Sequence, residues 1–153
     1  MLEQDTSSQL TEEQKVDLLE EKFEKERTQY SQKISEIIPK LKTMDTISEA
    51  QVLSLSYRQI LVDLLHKYKS IIIKHKNNDK NFKKMRIEYY KRNYDMRLDP
   101  KEMNEYISSD MALRTKKSDL IENQINFLVA SIDTLDKIGW AVKSRIEIHN
   151  ANI

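Results

Sequence analysis

The sequence predicts an all-α fold, an elongated helical bundle closed by a long C-terminal helix. Three observations predict it. One Gly and two Pro in 153 residues leave too few turn formers for an all-β or doubly wound α/β fold. Charged residues make up 33% of the chain and hydrophobic ones 39%, a balance that suits amphipathic helices. Apolar residues recur at spacings of three and four along most of the length, with capping patterns where the periodic runs begin. The same composition excludes some chemistry. A single Gly leaves no glycine-rich phosphate loop, and the lack of Cys removes disulfides, thiolate metal sites and cysteine nucleophiles.

Taken in order, residues 1–9 are polar and expected to be unstructured. Thr11-Glu12-Glu13-Gln14 is a capping box that starts the first helix. Val16, Leu19, Phe23, Tyr30 and Ile37 follow on a heptad frame, with Glu26 and Lys33 in the remaining seam slots. Such a seam predicts a mostly exposed helix, ended by Pro39. Thr46-Ile47-Ser48-Glu49 is a second capping box. Ala50, Leu53, Tyr57, Ile60, Leu64 and Ile71 then form one stripe, and Leu61, Leu65, Tyr68 and Ile72 another beside it. That helix is expected to be buried on more than one side. Asn77-Asn78-Asp79 predicts a kink or break, with the helical pattern resuming from Phe82 to about Asn93. Asp99 and Pro100 start a short helix, to about Ile107. Ser108-Ser109-Asp110 offers a cap for a last helix reaching about His149. The frame divides into an acidic helical N-terminal extension, residues 1–43, and a helical domain, residues 44–153.

In the last helix Ile121, Ile125, Leu128, Ile132, Leu135, Gly139, Val142 and Ile146 alternate spacings of four and three, a coiled-coil frame. Phe127, Ile138, Ala141 and Ile148 form a second stripe, and Val129 and Trp140 lie off both. An intramolecular core explains this spacing. An oligomer interface explains it better, because a chain with few helices has little to cover so much apolar surface. Gly139 is read as a point of close helix–helix approach.

The net charge of +1 hides a segregation. Residues 1–40 carry six Lys/Arg and ten Asp/Glu, whereas residues 67–92 carry ten and two, a local net of +8. Screening confines such charge to its surroundings, so the basic block acts independently of the total. In and just after its second half, Lys80, Lys83, Lys84, Arg86, Lys91 and Arg92 interleave with Phe82, Tyr89, Tyr90 and Tyr94. Cations that follow phosphates and aromatic faces that stack on unpaired bases are the residue mix of a single-strand-binding surface. A helix face for an acidic partner or an anionic membrane surface, and a merely solvated face, fit the same pattern.

Enzymatic chemistry is not expected. His66, His75 and His149 have no metal-ligand spacing among them, and no cofactor is implied. No apolar run approaches the length of a membrane-spanning helix. The acidic start, Met1-Leu2-Glu3-Gln4-Asp5, does not read as a signal peptide.

The segment Lys84-Met85-Arg86-Ile87-Glu88-Tyr89-Tyr90 resembles the Lys-x-Arg-Leu-Asp-Tyr-Tyr segment of UvsY-like recombination mediators of T-even-like bacteriophages. Ser131-Ile132-Asp133-Thr134-Leu135 and Ile138-Gly139-Trp140-Ala141-Val142-Lys143 resemble that family's closing helix, with Glu102-Met103 and Ser108-Ser109-Asp110 in matching order between them. The resemblance covers about residues 45–150 and leaves the first forty or so without a counterpart. Where the family has a glycine-rich turn, this chain continues as Lys91-Arg92-Asn93-Tyr94. The resemblance implies a ring-like homo-oligomer, of roughly six or seven subunits. It implies a protein that binds single-stranded DNA, works against the phage single-strand-binding protein and helps load a UvsX-like, RecA-family recombinase. Lys84 and Arg86 match the positions associated with DNA binding, and the C-terminal helix is implied in assembly. The location implied is the cytoplasm of the infected bacterial host.

Overall fold

The computed structural model describes residues 9–93 and 97–152. The expected unstructured start, up to residue 8, and Tyr94 lie outside the described residues. Among those described the protein is all-α, with no strand. The helices are α1 (Glu12–Ile37), α2 (Met44–Arg92), α3 (Pro100–Asp110) and α4 (Ala112–Ala151). None of them is long and apolar enough to cross a membrane.

Helix ends follow local chemistry. The Thr11 amide donates to Gln14 Oε1 at 3.0 Å and the Gln14 amide to Thr11 Oγ1 at 3.2 Å, a reciprocal capping box that satisfies two orphan donors. α1 stops at Ile37, and Pro39 sits in the 3-10 turn that follows. α2 begins at Met44, earlier than the box expected at Thr46. The Thr46 hydroxyl is used instead to donate to the Lys40 carbonyl at 2.6 Å, and Glu49 pairs with Lys40 at 3.0 Å. α3 is capped by Asp99, whose Oδ1 accepts from the Lys101 amide at 3.0 Å. No described residue has a positive φ, so these connections need no glycine.

Two further expectations are corrected. α2 runs unbroken through Asn77-Asn78-Asp79 for 49 residues. Asn and Asp disrupt a helix when their side chains bond their own backbone. Asp79 is instead held by Arg114 Nη1 at 3.2 Å, Ser118 Oγ at 3.4 Å and His75 Nε2 at 3.4 Å, while Asn77 and Asn78 face solvent. Ser108-Ser109-Asp110 is the last turn of α3, with Met111 as the single residue before α4. Asp110 is unavailable as a cap because side chains of α2 take its carboxylate.

The chain forms two compact units. One comprises Met1–Lys22 and Ile71–Glu122, the other Phe23–Ser70 and Asn123–Ile153. The boundary expected at residues 43 and 44 therefore does not separate compact units. In the first unit Val16, Ile72, Tyr90, Ile107 and Ile121 are buried. Lys116 reaches Asp17 at 3.7 Å and Glu20 at 3.5 Å, and Lys76 pairs with Glu122.

In the second unit the core includes Phe23, Ile37, Leu61, Tyr68, Leu128, Leu135 and Val142. Each large side chain buried there contributes about 1.5–3 kcal/mol of transfer free energy. Most residues of α1 are exposed, as expected, but Phe23, Ile34 and Ile37 bury one strip of it in this core. The two polar seam residues find partners, since Glu26 accepts from the Tyr68 hydroxyl at 2.8 Å and Lys33 lies over the rings of Tyr30 and Tyr57. Gln124, fully buried, donates to Glu26 at 2.9 Å and accepts from Arg27 at 2.7 Å. Burial and the Glu26 contact both raise the Tyr68 hydroxyl above its ordinary pKa.

The α4 seam is corrected as well. Ile121, Leu128, Leu135 and Val142 are buried within the single chain, so they are intramolecular core. The alternate slots are taken by Gln124, Ser131 and Ile138 and not by Ile125, Ile132 and Gly139, which are half-buried, as is Ile146. The frame is turned by one residue because Gln124 has polar partners inside. Nor does Gly139 mark a close approach: a Cβ there meets nothing within 4 Å.

Candidate nucleic-acid interface

The basic block lies on the C-terminal half of α2. A helix turns about 100° per residue, so Lys76, Lys80, Lys83, Lys84 and Lys91 fall within an arc of about 100°. All five are exposed. Lys76 is paired with Glu122, while Lys80, Lys83, Lys84 and Lys91 form a cationic row along the unit's surface. Ile73, also exposed, sits at the start of this face.

The aromatics interleaved in sequence are separated from that row in space. Phe82, Arg86 and Tyr90 occupy the inward strip, and Met85, Tyr89 and Arg92 lie on the far flank. Phe82 packs under the Arg114 guanidinium, 4.0 Å from its centroid. Tyr90 is buried and stacks on Tyr106 of α3 at 5.6 Å. Tyr89, 44% exposed, touches Tyr90 edge-on and carries the Arg86 guanidinium at 4.5 Å. Of the two tyrosines left open by the sequence, Tyr90 braces the helix and Tyr89 keeps an accessible ring.

Arg86 is placed differently from Lys84. Lys84 is exposed. The Arg86 Nε donates to Asp110 Oδ2 at 2.9 Å, and its Nη2 donates to the Tyr90 hydroxyl at 3.3 Å. The Tyr90 hydroxyl donates to the same Asp110 oxygen. That hydroxyl, and after it the Arg86 guanidinium, hold the Asp110 carboxyl below its ordinary value of 3.8. Donation to Asp110 raises Tyr90 above 10.0, and Arg86 is raised by the same cluster.

Sequence reasoning missed Asp110 and Tyr106 as members of this cluster. Their one-turn spacing on α3 is visible in the sequence, but their partner helix is not. No group of three or more His, Asp or Glu among the described residues is arranged to hold a metal ion.

α4 and α2 of the second unit leave a groove of about 490 Å³, lined by Ser54, Leu55, Arg58, Asp136, Gly139 and Lys143 among others. Arg58 and Asp136 pair across it at 2.6 Å. Trp140, 67% exposed, stands beside it.

Compared with known proteins, the chain matches no family model, no curated protein and no solved structure.

Proposed function

We propose that this chain is a non-enzymatic recombination mediator that binds single-stranded DNA and promotes loading of a RecA-like recombinase in place of a single-strand-binding protein. The observation that carries the binding step is the exposed lysine row Lys80, Lys83, Lys84 and Lys91 on one face of α2. Cations set along one helix face follow a flexible phosphate chain without reading its bases. Tyr89 and Arg92 lie off the row on the far flank, and Arg86 is held by Asp110 and Tyr90. The recombinase, the phage single-strand-binding protein and the host-cell setting come from the motif resemblance alone.

In this reading the protein works as a ring-like homo-oligomer. Linked copies of a weak site raise avidity by about 10²–10⁴-fold without new contacts. Assembly would use the groove at Gly139, with Leu55 and Trp140 exposed on it, since the α4 seam is core.

The test is binding of oligothymidylate by the full chain and by Lys83→Ala/Lys84→Ala. Each lost phosphate contact lowers the salt slope by about 0.7. A double variant that stays folded and binds with unchanged affinity and slope refutes the interface.

One observation favours a second reading, a scaffold whose basic helix docks on an acidic partner or an anionic membrane surface. Ile73 is 61% exposed on the same face as the cations, as in a helix that inserts an apolar side chain. Binding to anionic vesicles without binding to oligothymidylate decides for it.

A further inference from the structure

Two donors from one turn of α2, the Arg86 guanidinium and the Tyr90 hydroxyl, converge on a single oxygen, Asp110 Oδ2 of α3. A cationic donor and a hydroxyl aimed at one point are what a protein presents to a phosphate oxygen. Here that point is held by a carboxylate of the same chain. The pair is not sealed, for the side chains of Arg86 and Asp110 keep 29% and 27% exposure. Lys83, one turn before Arg86, is exposed and belongs to the lysine row, so a phosphate following the row passes beside Arg86. The helix carrying Asp110 is short, and Ile107 is its buried residue. An element anchored by so few buried contacts is displaced at low cost.

We propose that Asp110 is a built-in competitor of the phosphate backbone: a bound single strand takes Arg86 over from Asp110. This rests on the lysine row being a single-strand interface. The exchange replaces one anion by another on the same donors. Each subunit thereby binds a short strand weakly. A longer strand, whose other phosphates engage Lys80, Lys83, Lys84 and Lys91, supplies enough interaction to open the pair.

The experiment uses the full chain and a fluorescein-labelled oligothymidylate, read by anisotropy across a salt series. Asp110→Asn is expected to bind about fivefold more tightly, with a salt slope like that of the wild type, since Arg86 meets a phosphate in both complexes. Glu88→Gln makes the same change of charge at an exposed position of α2 and is expected to gain less. In an Arg86→Ala background the gain from Asp110→Asn should vanish, as a coupled pair requires. A second readout uses the wild-type chain, so the proposal does not depend on the folding of any variant. The Arg86 side-chain Nε–H resonance should shift as oligothymidylate is added. Asp110→Asn binding no tighter than Glu88→Gln, or an Arg86 resonance unmoved at saturation, overturns the proposal while the interface stands. A wild-type chain that does not bind oligothymidylate overturns the interface reading and the proposal with it.

Discussion

At the residue scale, Arg86 shows how one side chain changes meaning when its neighbours are known. In sequence it is one cation among ten in the basic block. In the fold it is bonded to Asp110 and Tyr90 and stacked on Tyr89. The cluster makes a signed pH prediction. Asp110 has a folded pKa below its ordinary value, so its contribution to stability is present above pH 3.8 and lost as pH falls through the folded value. Tyr90 has a raised pKa, so its contribution is present below pH 10.0 and lost as pH rises through the folded value. Thermal melts of wild type and Asp110→Asn should therefore differ at neutral pH and converge in acid, and a constant difference refutes the linkage. Gln124 belongs to this scale too. Gln124→Ala leaves Arg27 and Glu26 without their buried partner and should cost about 2 kcal/mol, read from urea denaturation.

At the element scale, α2 decides most. Its unbroken course carries Lys76 and Lys80 on the same face as Lys83 and Lys84, which a break at Asn77 would have prevented. Asn78→Pro tests this. In a true break a proline is tolerated, whereas in a continuous helix it removes a hydrogen bond and clashes, costing about 3 kcal/mol or more. A large fall in melting temperature is expected, and a neutral effect would argue for a break. The capping box at Thr11 was legible in full, because both partners lie within one turn. The second box was not, because the Thr46 hydroxyl found Lys40 across the connection. A capping pattern in sequence states what is locally available, and a tertiary acceptor nearby outcompetes it.

At the scale of the whole molecule, the question is what the chain leaves uncovered. The α4 heptads supply the core of one chain, while the groove at Gly139 and the Trp140 ring stay uncovered. Gly139→Ala separates the two levels. Within one chain the new Cβ meets nothing within 4 Å, so the variant should gain up to about 1 kcal/mol from helix propensity. If a second copy packs into the groove, Gly139→Leu should lower the mass seen by light scattering while Gly139→Ala keeps its melting temperature. An unchanged mass in both variants removes the groove from the assembly.

The sequence by itself determined that the chain is helical, where most of its helix ends lie to within a few residues, and that its net positive charge is concentrated in residues 67–92. These are local properties, set by periodicity, capping and composition over one or two turns. Only the tertiary structure decided which face of each helix is core. The buried slots of α4 turned on Gln124, whose polar atoms are satisfied by Glu26 and Arg27 from a helix about a hundred positions away. Likewise Lys84 and Arg86 look equivalent in the chain, yet Lys84 is open to solvent and Arg86 is paired with Asp110. Burying a polar or charged side chain is costly until a partner is found, and that partner comes from another helix.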